Sequence, residues 1–405
     1  MSTHQTQTAG LAPPGRFGDA PRGVNLDAAA GSRVLAACLQ RADAFARRCR
    51  AQLGGPYHES RLAGRALARS RRRLARFLNL PDGGQLHAAG SVTAALERLS
   101  RALAPAFRPG DTVVVTAADH EANITPWLRL AERGVNIRWW RPALPGGRLE
   151  PDELDGLLAP GTRLLCLTHC SNVTGAITPL AHIVERAHRA GVAVCADGTA
   201  YAPHRSVDLA SLGVDFYALS LFKCFGPQLA LLAAAPGAGI PPGRKDGAGL
   251  DDGAFAYASL YAATAVPDHV AALAGESPAS ASPGYRAAIE AGYRAIAKHE
   301  TDLLAGLAPV LARHGLRPVG PPLDRNEQRV PIVAVTGPHI ERLAPALARH
   351  GIGVRYGRFR ATRLLQALGH DGLLRISLAH YHGRDDIERL DRALARVRLR
   401  DPRRA

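Results

Sequence analysis

Residues 197 to 227 read DGTAYAPHRSVDLASLGVDFYALSLFKCFGP. An apolar run, Val192 to Cys195, leads into this stretch, a helix-sized segment crosses it, and a second apolar run, Phe216 to Leu221, closes it. Two continuous apolar runs joined by a helix-length connection are the mark of parallel strands covered on both faces. Lys223 follows at once, between Phe222 and Phe225 and ahead of Gly226-Pro227. A lysine in apolar surroundings loses the solvation of its charged form, so its pKa falls and the free amine becomes available as a nucleophile. That is what a Schiff-base lysine requires. The chain has only three lysines, Lys223, Lys245 and Lys298, against 51 basic residues in all. Lys245 lies in the Gly/Pro-rich PPGRKDGAG and Lys298 in the helical YRAIAKHETDLL, both in settings that read as solvated. On position alone Lys223 is equally well a strand-end lysine snorkelling to water.

Outward from this stretch the same alternation continues. Strands are expected at Thr112 to Thr116, Ile137 to Trp140, Leu164 to Thr168, Ala193 to Ala196, Phe216 to Leu221 and Leu229 to Ala234. Helices are expected at Ala94 to Phe107 and at Pro179 to Ala190, where Leu180, Ile183, Val184 and Ala187 share one face. The fold class is therefore α/β, with a mostly parallel sheet between helices, and ligands collect at the carboxyl ends of such strands. From about Gly284 the pattern changes to long helical segments, then a strand at Val330 to Thr336, a helix at Ile340 to His350, a strand at Leu373 to Leu378 and a last helix at Asp385 to Arg398. This predicts a flexible arm over 1–22, a large domain over 23–283, a smaller C-terminal α/β domain over 284–400 and a basic tail over 401–405. Pro236 to Gly253 reads as a long loop.

Composition narrows the class. A chain of 405 residues with 46% hydrophobic content can bury a large core. No apolar run approaches the roughly 20 residues that cross a bilayer. The polar start, MSTHQTQTAGLAPPGR, lacks a signal-peptide core, so a cytoplasmic protein is expected. Six scattered cysteines point to reduced thiols. The formal charge of +16 raises the question of nucleic acid, yet the densest cluster, Arg69 to Arg76, alternates with Leu67, Leu74 and Phe77 at helical spacing and reads as a solvated helix face. Nucleic acid is therefore not the expected partner.

The order Asp197-Gly, Pro203-His204, Val207-Asp208, Gly213-Val-Asp-Phe-Tyr217 and Ser220-x-x-Lys223-x-x-Gly226-Pro227 resembles the cysteine desulfurase-like branch of the class V aminotransferases. The likeness runs from Asn25-Leu-Asp27 to about Arg398. It implies a pyridoxal 5'-phosphate (PLP) enzyme of fold type I, with Lys223 as the Schiff-base lysine, an L-amino acid as substrate and a homodimer whose active site lies at the subunit interface. Asp197 would hold the pyridine nitrogen protonated, making the ring an electron sink. Taken alone, Asp197 is an ordinary Asp-Gly turn former. Asp119-His120-Glu-Ala-Asn123-Ile-Thr-Pro-Trp127 resembles the segment whose histidine stacks on the cofactor, which makes His120 catalytic; without the likeness it is a strand-end histidine. Ser171-Asn172-Val-Thr-Gly175 implies that Asn172 bonds the cofactor's phenolic oxygen and the substrate carboxylate. Ser91 and Val92, after Gly90 at a helix start, offer amides and a hydroxyl to the phosphate, although Ser/Thr caps begin many helices. Ser220 adds a hydroxyl, and Ser259, in Phe255-Ala-Tyr-Ala-Ser, stands where a partner subunit would reach the phosphate. Leu374-Arg375-Ile-Ser-Leu-Ala-His-Tyr381 implies that Arg375 grips the α-carboxylate, and Asn25-Leu-Asp-Ala-Ala29 places Ala29 beside the substrate. Cys166, His169 and Cys170 lack a fourth ligand at zinc spacing, so no metal is expected. His380 and His382 are left without a role.

The likeness breaks in three places. Desulfurases carry sulfur on a loop cysteine after V-R-x-G, but Val354-Arg-Tyr-Gly357-Arg-Phe-Arg360 has arginine there. Cys224, the thiol nearest Lys223 in sequence, is the alternative carrier, and its plainer reading is inert wall. Ala200 and Phe222 stand where a glutamine and a histidine are expected. The expected reaction is expulsion of a β-substituent, sulfur above all, as a C–S lyase, with transamination as the alternative from the same carbanion. A non-catalytic protein on this scaffold, holding PLP for structure or binding nucleic acid, is the rival of another class.

Overall fold

The computed structural model describes residues 10–12, 15–18, 23–49, 51–238, 257–275 and 282–397. Its centre is a seven-stranded sheet of β1 (Gln85–Ala89), β2 (Thr112–Thr116), β3 (Asn136–Trp140), β4 (Thr162–Thr168), β5 (Ala193–Asp197), β6 (Phe216–Ser220) and β7 (Ala230–Ala234). The strand order is β1-β7-β6-β5-β4-β2-β3, and β7 alone runs antiparallel to its neighbours. The TVVVT of β2 is buried along its whole length, as a strand covered on both faces demands. The six expected strands are all present, with bounds within two residues of those read from the sequence.

The first strand is a finding of the structure. His87-Ala-Ala, not assigned to any strand from the sequence, pairs with β7 from Ala89↔Ala230 to Gln85↔Ala234. Its mixed exposure, buried only at Ala88 and Ala89, erased the alternation that would have marked it. The expected helix at 94–107 begins earlier, at Val92, and ends at Leu103, because Pro105 turns its last residues into a 3-10 turn.

The C-terminal part builds a four-stranded antiparallel sheet from β8 (Arg317–Val319), β9 (Ile332–Thr336), β10 (Arg355–Gly357) and β11 (Leu373–Ser377), in the order β10-β11-β9-β8. A 29-residue helix, Tyr285–Arg313, joins the two units. Its first half buries Tyr285, Ile289, Tyr293 and Ile296 in the core around the large sheet, and its second half buries Leu303, Leu304, Leu307 and Leu311 in the smaller core. The boundary proposed at 283/284 thus falls at the start of a helix that serves both cores. Val24 and Leu26 also belong to the smaller core, and Val24–Asn25 pairs with Ile352–Gly353, although the sequence reading assigned them to the large domain. Two pieces of the expected arm are docked: the Leu11 N–H donates to the His380 carbonyl at 2.8 Å, and Phe17 is buried against Phe225 and Tyr381. The 239–253 part of the expected loop, the 398–400 end of the small domain and the 401–405 tail lie outside the described residues.

Candidate active site

Most groups of the site end or follow a strand of the large sheet. Asp197 ends β5, and its Oδ1 accepts the Thr199 N–H at 2.9 Å, which leaves Oδ2 without a partner among the described residues. Gly198 permits this turn, because a Cβ there would lie 1.9 Å from the Tyr217 Oη. That hydroxyl is fixed in turn by His169 Nδ1 at 2.8 Å, and the His169 ring stacks on Tyr201 at 3.6 Å. Burial pushes the His169 pKa down to about 3, so this imidazole is neutral and structural.

Lys223 ends a short 3-10 turn after β6. The Cys224 and Gly226 N–H groups both return to the Leu221 carbonyl, and Phe225 takes a left-handed φ of 62°. Ser32 holds the turn from outside: its Oγ accepts the Phe225 N–H at 2.8 Å and donates to the Phe222 carbonyl at 3.0 Å. Burial lowers the Lys223 pKa; Asp197 opposes this, and Arg375 reinforces it. The expected direction, toward a free amine, is the one the geometry produces.

His120 caps the 3-10 turn Glu121–Asn123, and its Nδ1 accepts the Ala122 N–H at 3.1 Å. The proton of the neutral ring therefore sits on Nε2. Burial depresses its pKa and so does the charge of Lys223, with Asp197 acting the other way. Asp119 was not singled out from the sequence. Its Oδ1 accepts the His120 N–H and its Oδ2 accepts Asn123 Nδ2, while burial and the nearby Asp197 raise its pKa well above the carboxylate range. Only the fold brings these two carboxyls together, so no spacing in the sequence signals them.

Ser91 is the N-cap of the helix Val92–Leu103, and its Oγ accepts the Ala94 N–H at 3.1 Å. The Val92 and Thr93 N–H groups have no acceptor among the described residues, as expected in a first helical turn. Ser91, Val92, His120, Asn172, Asp197, Ser220 and Lys223 line one cavity of about 160 Å³, with Thr93, Thr168, Cys170, Thr199 and Ala200 completing much of its wall. Ala29 borders a smaller void of about 10 Å³ that Lys223 also lines, and its N–H is held by Ser377 Oγ. The wall thus combines open amides and hydroxyls for an anion, a carboxylate for a ring N–H and an amine for an aldehyde. PLP carries all three complements, so the residues fit it.

One expected residue is placed differently. Arg375 does not line the cavity: it is buried, with Nη2 on Asp27 Oδ1 at 2.9 Å, Nη1 on the Asn172 carbonyl at 2.9 Å and its guanidinium 4.5 Å from the Phe359 ring centre. A carboxylate of the chain itself already occupies part of the grip assigned to a substrate, and Asp27 also meets Arg355 Nε at 2.8 Å. Ser259 lies on the helix Tyr257–Ala263 and is not among the residues that line the cavity. The resemblance assigns it to a partner subunit's phosphate rather than to the cavity of its own chain. Asn172 donates one amide N–H to the Phe359 carbonyl at 3.0 Å, which leaves its second N–H and its Oδ1 to face a ligand.

Cys224 is fully buried, its pKa pushed up to about 12, and it is absent from the cavity wall. Cys170 does line the cavity, but burial raises it to about 12 as well. In the arginine cluster, Arg69, Arg72 and Arg76 are exposed on a helix whose Leu67, Leu74 and Phe77 are buried, as a solvated helix face requires. With Arg41, Arg48 and Arg73 they line a cleft of about 660 Å³, where Arg41 and Arg73 both pair with Asp268.

Residues 24–249 and 250–390 match the family model described as aminotransferase class-V. The aminotransferase-like protein FGM3 of Gibberella zeae is 32% identical over 391 residues, which cover 92% of this chain and 94% of that protein. A probable cysteine desulfurase of Xylella fastidiosa is 33% identical over 372 residues, 89% of this chain and 88% of the other. Among solved structures, the Escherichia coli cysteine desulfurase CsdA superposes with a TM-score of 0.73 at 25% identity, over 94% of this chain and 96% of that one.

Proposed function

The chain belongs to the class-V aminotransferase family, whose members are PLP-dependent enzymes, and from that premise we propose that it is a cysteine desulfurase-like C–S lyase acting on an L-amino acid. The observation that carries the reading is the convergence of Lys223, Asp197, His120 and Ser220 on one cavity beside the open amides of Val92 and Thr93. Ser91, Val92 and Ser220 would hold the phosphate, and Asp197 Oδ2 the pyridine N–H. When bound, PLP supplies an electron sink for charge developing at the substrate Cα.

The chain's own groups then divide the proton work. Lys223 Nζ, free as an amine once displaced by the substrate, takes the Cα proton. The pair of electrons from the Cβ–S bond leaves with sulfur, and His120 Nε2 is the donor placed to protonate it. Water completes the balance, giving a thiol or sulfide, an α-keto acid and ammonia. A grip of Arg375 on the substrate carboxylate would require Asp27 to yield part of the guanidinium, and the second N–H of Asn172 Nδ2 is the amide donor that a carboxylate in the cavity would meet. With arginine at 360 and the Cys224 and Cys170 thiols raised to about 12, no thiolate is offered here as a persulfide carrier.

The test is direct. Purified holoenzyme is expected to show the visible absorbance of lysine-bound cofactor, to lose it in Lys223→Ala and to keep it in Lys298→Ala. Incubation with L-cysteine and S-substituted cysteines is expected to release thiol and keto acid in equal amounts. Keto acid without thiol would instead identify transamination. A Lys223→Ala protein with an unchanged band would overturn the proposal.

A further inference from the structure

The loop 358–361 is bonded to Asn172 of the cavity wall and to Glu121, the neighbour of His120, and one of its cations has no counter-charge among the described residues. Two successive carbonyls of this loop are pinned by residues of the site: the Phe359 carbonyl accepts Asn172 Nδ2 at 3.0 Å, and the Arg360 carbonyl accepts the Glu121 N–H at 2.8 Å. Phe359 and Arg360 both take φ of 52°, a left-handed conformation that costs a non-glycine residue about 1 kcal/mol or more. A loop held in that conformation by two bonds from the cavity wall presents its side chains in a fixed place.

The arginines on and around this loop differ in one respect. Arg355 and Arg375 share Asp27, Arg358 faces Asp371 at 3.7 Å, and Arg363 pairs with Glu121. Arg360 has no carboxylate among the described residues, and it is exposed. Its charge nevertheless reaches His120 on the cavity wall, where it helps to depress the imidazole. An exposed, unpaired cation whose loop is bonded to the cavity wall and whose charge is felt by His120 is available to the part of a substrate that extends away from the reacting carbons.

We propose that Arg360 is a specificity residue that selects amino acids whose β-substituent ends in an anion, such as a cysteine carrying a carboxyalkyl group on sulfur. The inference rests on the amino-acid lyase reading of the site and adds the charge of the substrate side chain. It also explains why this position is not merely neutral filler: a guanidinium grips a carboxylate with two parallel bonds, which a neutral side chain cannot do.

The test uses two nearly isosteric compounds, S-carboxymethyl-L-cysteine and S-carbamoylmethyl-L-cysteine, titrated into holoenzyme while the visible band and heat are recorded, with thiol release measured in parallel. Wild type is expected to bind the carboxylate compound on the order of tenfold more tightly and to turn it over with a correspondingly higher kcat/KM, as one charge-assisted pair near solvent allows. Arg360→Gln is expected to bring the ratio close to one by raising the KM of the charged compound, and Arg360→Lys to restore part of the preference. Equal affinities in wild type, or a preference that survives in Arg360→Gln, would overturn the inference while leaving the lyase reading intact. A visible band that neither compound moves would overturn both.

Discussion

Lys223 and Asp197 illustrate what a residue gains from its surroundings. The lysine is ordinary in water and basic; enclosed beside Arg375, its amine is pushed toward the neutral form, and Asp197 limits the shift. Asp197→Asn is expected to keep the fold, since the Thr199 N–H can still be accepted, and to lower kcat by roughly 10²–10³, the usual cost of one preorganised charge. Steady-state kinetics with circular dichroism of the variant will check this. The buried histidines make a pH prediction. His169 and His269 have pKa values pushed down by burial to about 3 and about 4, from an ordinary 6.5. In the unfolded chain they take up protons as pH falls below about 6.5; in the fold they do not. Their contribution to stability is therefore whole above pH 6.5 and is lost progressively toward pH 4, up to about 3 kcal/mol for His269. Urea midpoints are expected to fall between pH 7.5 and 5, and less steeply in His269→Gln; a flat profile in wild type would contradict this account.

At the scale of elements, the long helix Tyr285–Arg313 is the joint between the two cores. Glu300, buried in its middle, accepts from Arg205 at 2.8 Å and meets His204 Nδ1 at 2.6 Å, while Arg205 also reaches the Arg329 carbonyl. This network ties the segment after β5 to the helix and to the approach to β9. Removing one partner of a buried charge cluster strands the others, so Glu300→Ala is expected to destabilise the protein by about 3–5 kcal/mol. Because the helix bridges both cores, the loss should appear in a single unfolding transition rather than in one half alone. Two separated transitions in urea would show that the joint is weaker than described.

For the molecule as a whole, the homodimer is what the resemblance implies, with Ser259, on a helix beside the arginine-lined cleft, in the segment likened to one that reaches a partner's phosphate. Light scattering is expected to give twice the 42.9 kDa chain mass, and a monomer at micromolar concentration would remove that role from Ser259. No helix among the described residues is long and apolar enough to cross a membrane. Much of this architecture was legible in the chain. Strands buried on both faces must be apolar throughout, so β2 and β4 to β7 declared themselves, while the edge strand β3, buried only at Trp140, was marked by Ile137 and its two tryptophans; the motif residues of the large sheet fall at strand ends because that is where a parallel sheet leaves open backbone. What the sequence could not carry was any arrangement made by contact between distant segments. The β1 pairing, the occupation of Arg375 by Asp27, the Asp119–Asp197 proximity and the unpaired charge of Arg360 each depend on residues tens to hundreds of positions apart meeting in space. Local pattern records burial and turn chemistry, but the partner of a charge is decided only once the chain has closed.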